Sequence, residues 1–233
     1  MQWKNRPDGL TWPGVIKNEE AKREAAAQLA TELRDGQTVG IGSGSTSFLT
    51  LQALAARAEK EGLSFTAIPT SIEVANACAA LGLRTATLNE ARPDWCFDGA
   101  DEVDDHKRLI KGRGGALYQE KLMMAAAPKA FIVVDQSKIV SRLGVNFPAP
   151  VEIDPAALSL MYEKLEGFPG LEEVTLRTGG GKDGPVITER GNLIIDLRFS
   201  EIAEDAHARL KQMSGVVETG LFFGYDFELV LAG

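Results

Sequence analysis

The chain has 233 residues, enough for one large domain or for two modest ones. Its 25 basic and 33 acidic residues give a net charge of −8, which argues against nucleic acid or an anionic membrane as partner, because both attract basic surfaces. No apolar run is long enough to span a membrane, and the 2 cysteines and 2 histidines show neither a disulfide framework nor zinc-ligand spacing. Because residues 1–14 also lack the apolar core of a signal peptide, we expect a cytoplasmic protein without a metal site.

Strands and helices alternate over the first 135 residues. The first helix is expected over 18–35, because Ala21, Ala25, Leu29 and Leu33 lie four residues apart and share one face. Short strands are then predicted at 38–41, 64–68, 84–88, 95–97 and 131–134, separated by helices at 46–60, 70–82 and 116–127. This alternation predicts an α/β fold with a mostly parallel, Rossmann-like sheet and helices on both faces.

The pattern changes at a proline-rich segment, residues 147–150. Strand, helix, strand, strand, helix and strand follow in that order, which is the split βαβ arrangement of a small α+β, ferredoxin-like domain. The last apolar segment, 221–231, is expected to return to the first sheet. We therefore predict a Rossmann-like catalytic domain of residues 1–146 and 219–233, and a small α+β domain of residues 147–218.

A glycine-rich loop lies between the first strand and the second helix. It carries three hydroxyl side chains, Ser43, Ser45 and Thr46, and its glycines let backbone N–H groups converge at a helix N-terminus. These features favour a phosphate cradle, although a tight turn with a serine cap is the simpler interpretation. The spacing G-x-G-x-G does not match a dinucleotide site, and no Gly-Lys-Ser/Thr follows, as a P-loop would require.

An acidic loop at residues 98–105 follows a short apolar strand. Asp98 and Asp101 lie three residues apart around a glycine, where they could hold hydroxyls or move protons. A solvated acidic turn is the plainer alternative, and the spacing excludes a calcium loop.

A second glycine-rich segment, residues 111–115, opens the helix that carries Glu120 and Lys121. Three glycines in four positions cost backbone entropy, and close approach to a ligand is a reason to accept that cost. A flexible surface loop is the alternative, and Lys121 alone is more typical of a solvated helix charge. An acidic protein that binds a phosphorylated substrate must gather local positive charge, and the candidates are Lys22, Lys111, Arg113 and Lys138.

Six motifs taken together resemble type A ribose-5-phosphate isomerases. In chain order they are VGIGSGSTS, DGADEVD, LIKGRGGALYQEK, VVDQSK, FPAPVEI and GVVETGLF. The resemblance covers most of the chain. It implies interconversion of D-ribose 5-phosphate and D-ribulose 5-phosphate in the non-oxidative pentose phosphate pathway, without metal or other cofactor, by a homo-oligomer that is a dimer or tetramer.

The resemblance also assigns roles to individual residues. It implies a catalytic set of Glu120 as base, Lys111 as charge stabiliser, Asp98 for ring opening and Asp101 as hydroxyl or proton partner. The first four of the six motifs, together with the first helix, imply the substrate-binding positions. These are Lys22, Ser43, Gly44, Ser45, Thr46, Asp98, Gly99, Ala100, Asp101, Lys111, Gly112, Arg113, Gly114 and Lys138. Two positions depart from the family pattern, because Ser43 stands where Thr is frequent and Arg113 where many relatives carry Gly.

The residue types suit this chemistry. An aldose–ketose isomerisation passes through an enediolate, so it needs one carboxylate to move a proton and fixed cations or donors to stabilise oxygen charge. A non-catalytic sugar-phosphate sensor would keep the phosphate loop without the base, and Glu120, nine residues after Lys111, argues against it. An amino-sugar phosphate deaminase or a CoA transferase is a further alternative, but neither histidine sits in a motif, as a deaminase would require.

Overall fold

The computed structural model describes Trp12 and residues 14–233. Most of the segment 1–14, in which we expect no signal peptide, lies outside these described residues. The helices are α1 (Glu19–Ala30), α2 (Gly44–Glu61), α3 (Ile72–Ala80), α4 (Leu117–Ala126), α5 (Leu158–Leu165) and α6 (Ala206–Lys211). The strands of the first half are β1 (Gln37–Ile41), β2 (Phe65–Pro69), β3 (Arg84–Thr85), β4 (Trp95–Asp98), β5 (Glu102–Val103), β6 (Leu109–Ile110) and β7 (Ala130–Asp135). Those of the second half are β8 (Ala149–Ile153), β9 (Leu171–Leu176), β10 (Leu193–Phe199), β11 (Val216–Thr219), β12 (Leu221–Phe222) and β13 (Glu228–Ala232). No helix in this described part of the chain is both long and apolar enough to cross a membrane.

The chain forms two compact units. The first contains the described residues up to Gly99 together with Met123–Gln136 and Asp226–Gly233. The second contains Ala100–Leu122 and Ser137–Tyr225.

The first unit is built on a parallel sheet of six strands in the order β13-β7-β4-β1-β2-β3. This is the Rossmann strand order, and it confirms the predicted mostly parallel α/β fold. All six residues of β7 are buried, as expected for a strand with neighbours on both sides. The chain end does return to this sheet, because β13 pairs in parallel with β7.

The strand order places a ligand-binding position on this sheet. The chain proceeds from β1 towards β2 on one side, while β4 leads to β7 on the other. The carboxyl ends of β1 and β4 therefore flank the point where the order reverses, which is where open parallel sheets bind ligands. Residue 42 follows β1 directly, and Asp98 is the last residue of β4.

The second unit contains an antiparallel sheet in the order β11-β8-β10-β9 with α5 and α6, which confirms the predicted split βαβ arrangement. A smaller antiparallel sheet, β12-β6-β5, shares its apolar core, since Ile110 and Leu221 pack in one cluster with Val151 and Leu197. Residues 100–122 and 137–146 thus belong with the second compact unit. The domain boundaries after residues 146 and 218 stay predictions.

Candidate active site

The loop between β1 and α2 has the backbone that an anion cradle needs. The Gly42 N–H donates to the Phe97 carbonyl at 2.8 Å, and a Cβ on Gly42 would lie 2.2 Å from Cγ of Asp98, so only glycine fits. Gly44 has φ of +86°, a left-handed conformation that other residues rarely adopt. Ser45 and Thr46 follow in the first turn of the 18-residue α2, whose N-terminal N–H groups carry partial positive charge.

Asp98 is held from two sides at the end of β4. Its Oδ1 accepts hydrogen bonds from the Gly99 N–H at 2.7 Å and from Ser47 Oγ at 3.3 Å. Ser47 is buried, and our sequence analysis missed it. Its spacing from Leu51 and Leu54 along α2 would have placed it on the inward face.

Lys22 lies on α1 and is buried against the last residue of β7. Its Nζ is 3.4 Å from Oδ2 of Asp135, and less than a tenth of either side chain is exposed. Asp135 was also missed, although the motif VVDQSK contains it. The sheet-edge group, as we call it, comprises Lys22, residues 43–47, Asp98, Gly99 and Asp135, all within the first unit.

A pair of opposite charges is buried in the second unit. Lys111 follows β6, Glu120 lies in the first turn of α4, and Lys111 Nζ is 3.2 Å from Oε2 of Glu120. The two residues are 3% and 6% exposed. The ring of Phe222 lies 5.6 Å from Lys111 Nζ. Attraction between charges is stronger away from water, so Lys111 and Glu120 hold each other in place in the second unit.

Asp101 is the acid that binds the second glycine-rich loop. Its Oδ2 accepts a hydrogen bond from the Arg113 backbone N–H at 3.0 Å. Burial raises the pKa of this carboxyl, and the Arg113 N–H together with the charges of Lys111 and Lys138 offsets part of that rise, while Glu120 adds to it. An aspartate with a raised pKa exchanges a proton more readily near neutral pH than a solvated one does.

Two of the predicted cations contact one aromatic ring. Lys138 Nζ and Arg113 Cζ lie 4.7 and 5.8 Å from the centroid of the Phe147 ring. Phe147 is in turn held by Glu102, whose carboxylate accepts the N–H groups of residues 144, 146 and 147 at 2.5 to 2.9 Å. The buried-charge group, as we call it, comprises Asp101, Lys111, residues 112–114, Glu120 and Lys138, all within the second unit.

The remaining acids of the loop at 98–105 have other partners. Asp104 is buried, accepts the N–H groups of His106 and Arg108, and pairs with the Arg108 guanidinium at 2.7 Å. Asp105 is exposed, so the interpretation as a solvated turn holds for this residue. Of the other predicted positions, Ala100 is half-buried, and Gly114 is exposed with open space where a Cβ would lie.

Lys121 is not the solvated helix charge that its position on a helix suggested. It is buried, and its ammonium donates to Oε1 of Glu218 at 3.0 Å and to the carbonyls of Thr219 and Leu221 at 2.6 and 2.9 Å. Burial lowers its pKa to about 8. These contacts fasten the start of α4 to the segment that joins β11 to β12, next to the residue predicted as base.

The fold and these two groups define a class of protein. It is a Rossmann-like α/β protein with a glycine-rich loop at the switch point of its parallel sheet and, in its second unit, a buried lysine–glutamate pair. No cluster of three or more His, Cys, Asp or Glu that could hold a metal ion occurs within the described residues.

Comparison with known proteins identifies the family. Residues 66–233 match the family model of ribose 5-phosphate isomerase A, also described as phosphoriboisomerase A, and the chain belongs to this family. The chain is 40% identical over 214 residues to ribose-5-phosphate isomerase A of Methanothermobacter thermautotrophicus, covering 91% of this chain and 93% of that protein. With the same protein of Archaeoglobus fulgidus it shares 41% over 213 residues, covering 89% and 93%.

Solved structures agree with the sequence relatives. The chain superposes on ribose 5-phosphate isomerase A of Methanocaldococcus jannaschii with a TM-score of 0.88 and 36% identity, covering 93% of this chain and 96% of that one. A D-ribose-5-phosphate isomerase in complex with phospho-erythronic acid is similar with a TM-score of 0.87 and 33% identity, covering the same shares. The predicted family is confirmed.

Proposed function

We propose that this protein interconverts D-ribose 5-phosphate and D-ribulose 5-phosphate, a step of the non-oxidative pentose phosphate pathway. The observation that carries the proposal is the buried pair of Lys111 and Glu120, in a chain that belongs to the ribose 5-phosphate isomerase A family. A sensor that only bound the sugar would have no need of a buried carboxyl side chain beside a buried lysine.

The sheet-edge group holds the phosphate of the substrate. Its hydroxyls at Ser43, Ser45 and Thr46 and the N–H groups of the first turn of α2 are donors suited to phosphate oxygens, and Lys22 supplies positive charge. Because the phosphate does not react, this binding stabilises the ground state and the transition state alike.

The buried-charge group carries out the proton transfer. Glu120 removes the proton from C2 of the open-chain aldose, and the electrons of that C–H bond form an enediolate. Lys111 stabilises the charge that develops on O1, and Glu120 returns its proton to C1. Asp101 moves the remaining hydroxyl proton from O2 to O1, so that the aldehyde becomes an alcohol and C2 a ketone. Asp98 assists ring opening before these steps.

Incubation of the purified protein with ribose 5-phosphate in D₂O tests the proposal. We expect ketose formation together with deuterium at C2 of recovered ribose 5-phosphate, because a single base exchanges its proton with solvent between the two transfers. A sensor binds the sugar and forms no ketose. Ketose without any deuterium uptake would show that the proton does not exchange with solvent between the two transfers. EDTA is expected to leave the rate unchanged, since the chemistry needs only a base and fixed donors.

Phospho-erythronic acid serves as a probe of binding. Since a similar isomerase was solved in complex with it, we expect it to compete with ribose 5-phosphate for this protein. A carboxylate in place of the C1–C2 unit presents two oxygens, as the enediolate does, and the ammonium of Lys111 would bind them.

We also propose a cytoplasmic location and a homo-oligomeric state, either dimer or tetramer. Both cysteines of the chain are buried free thiols, which is consistent with a reducing compartment. Light scattering of the purified protein measures the oligomer directly.

A further inference from the structure

One arginine outside all the predicted site positions binds the glycine-rich loop at residues 111–115. Arg177 directly follows β9, and its Nη1 donates to two successive carbonyls of the loop, that of Gly112 at 2.8 Å and that of Arg113 at 3.0 Å. Neither carbonyl belongs to a helix or a strand. The loop is therefore fixed by a side chain of the four-stranded sheet.

The guanidinium of Arg177 is itself held rigidly. Its Nε donates to Oδ2 of Asp196 at 2.8 Å, and its Nη2 pairs with the other oxygen of the same carboxylate. The side chains are only 15% and 17% exposed. The Arg177 backbone N–H also donates to the Ile194 carbonyl, at 2.9 Å. A two-pronged arginine–carboxylate pair fixes the guanidinium plane, so the direction of Nη1 is set before any substrate binds.

This loop needs an external constraint. Gly112 and Gly115 have φ values of +103° and +85°, and glycines resist a single conformation more than other residues do. Fixing the carbonyl of Gly112 orients the peptide bond that joins it to Arg113, and the N–H of that same peptide donates to Asp101. The residue before Gly112 is Lys111, the partner of Glu120.

We propose that Arg177, oriented by Asp196, is a positioning residue that fixes the peptide between Gly112 and Arg113 and thereby sets both the hydrogen bond to Asp101 and the place of Lys111. The proposal rests on the proposed isomerase function. It gives the small α+β sheet a role in the chemistry, which it exerts through a loop and not by contact with the reacting atoms.

The effect on Asp101 separates this role from ordinary stabilisation. Three ionisable side chains act on that carboxyl, namely Lys111, Glu120 and Lys138, and the Arg113 N–H donates a hydrogen bond to it. Loss of this N–H removes an interaction that favours the charged form, so the pKa of Asp101 should rise further. If Arg177 only stabilised the fold, its replacement would lower the melting temperature and leave the pH dependence of kcat unchanged.

The experiment compares Arg177→Lys with Arg198→Lys. Lysine keeps the charge at position 177 but lacks the planar fork of donors, so it cannot form the two-pronged pair with Asp196 and also reach both loop carbonyls in this geometry. Arg198 lies on β10, with its side chain 45% exposed and its Nε 4.0 Å from Glu173, so it is a matched arginine remote from the loop. For Arg177→Lys we expect kcat to fall about 10- to 100-fold, with KM for ribose 5-phosphate within about threefold of wild type. We also expect the acid limb of the kcat–pH profile to move to higher pH.

Asp196→Asn provides a second, milder variant that retains the arginine. It should reproduce the fall in kcat and the displaced acid limb to a smaller degree, and it keeps the proposal testable if Arg177→Lys does not fold. The inference is overturned if the folded variants keep kcat within about threefold of Arg198→Lys, or if their acid limb coincides with that of wild type. Failure of the wild-type protein to form ketose would instead refute the proposed function, so the two failures are distinguishable.

Discussion

The sheet-edge group and the buried-charge group are built in different ways. The first combines the hydroxyls and backbone N–H groups of one loop with a buried lysine and two buried aspartates, and it rests on one parallel sheet. The second consists of charged side chains that are largely removed from water, and it depends on contacts from residues far apart in sequence. In the proposed mechanism the loop hydroxyls and Lys22 of the first bind a phosphate that does not react, and the second carries out the proton transfers of the isomerisation.

This difference predicts different consequences of substitution. Hydrogen bonds to an unreacting phosphate contribute equally to ground and transition states, so their loss appears in KM. Groups that move protons or stabilise developing charge act in the transition state, so their loss appears in kcat. The comparison fails if variants of the two groups change the same kinetic constant.

The largest effect is expected from Glu120→Gln. Glutamine keeps the shape of the side chain but cannot carry a proton between C2 and C1, so kcat should fall about 10²- to 10⁴-fold while KM changes little. Steady-state kinetics on ribose 5-phosphate measure both constants. The replacement also removes the negative charge that pairs with the buried Lys111, so a thermal melt must accompany the kinetics.

Glu59→Gln is the matched control for that experiment. Glu59 is an exposed helical glutamate on α2, and its replacement should change stability by less than about 0.5 kcal/mol and leave the rate as in wild type. If folded Glu120→Gln retained more than about a tenth of the wild-type kcat, Asp98 or Asp101 would have to be the base.

A smaller effect, in the other kinetic constant, is expected from Ser45→Ala and Thr46→Ala. Each removes one hydroxyl donor to a charged phosphate, a hydrogen bond worth about 1.5–3 kcal/mol, so KM should rise at least about tenfold with kcat near that of wild type. Thr175→Ala on β9 removes an exposed hydroxyl and serves as control. A fall in kcat with an unchanged KM would place these hydroxyls in the chemical step and remove the distinction between the groups.

The two groups also differ in how far the sequence could predict them. The phosphate loop is contiguous between a strand and a helix, and the backbone found there is the one its glycines predicted. Lys111 and Glu120 were named from the family motif, and the structure places them 3.2 Å apart. By contrast, Arg177 lies 65 residues from Gly112 along the chain, and no periodicity or local propensity indicates that contact.

Local signals were also misread where a tertiary contact competes for a side chain. The helix predicted to begin at residue 70 begins at Ile72, and the Thr70 hydroxyl donates to the Ile41 carbonyl at 2.9 Å. Ser71 caps α3 in its place, accepting from the Val74 N–H at 3.2 Å. The pairing of β6 with β12 joins residues 100–122 to the second compact unit through partners far apart in the sequence, which no local pattern indicates.

The smallest effect concerns stability and not rate. Because the pKa of Asp101 is raised above its ordinary 3.8, the folded protein holds this proton to higher pH than the unfolded chain does. Stability therefore falls as pH rises from the ordinary value through the raised one, since the unfolded chain gives up its proton first. Asp101→Asn, which cannot ionise, should escape this loss.

Melting temperatures of wild type and Asp101→Asn, measured at several pH values from 4 to 8, test this expectation. The difference between the two should shift by a few degrees in favour of the variant as pH rises, on the scale of about 1 kcal/mol or less. Thr46→Ala supplies the contrast, because a hydroxyl does not titrate and its difference from wild type should not vary with pH. A constant difference for Asp101→Asn as well would mean that Asp101 is no harder to ionise in the folded protein than in water. Asp101 would then not differ, in its cost of ionisation, from a carboxyl in water, and the contrast with the hydroxyls of the first group would fail at this residue.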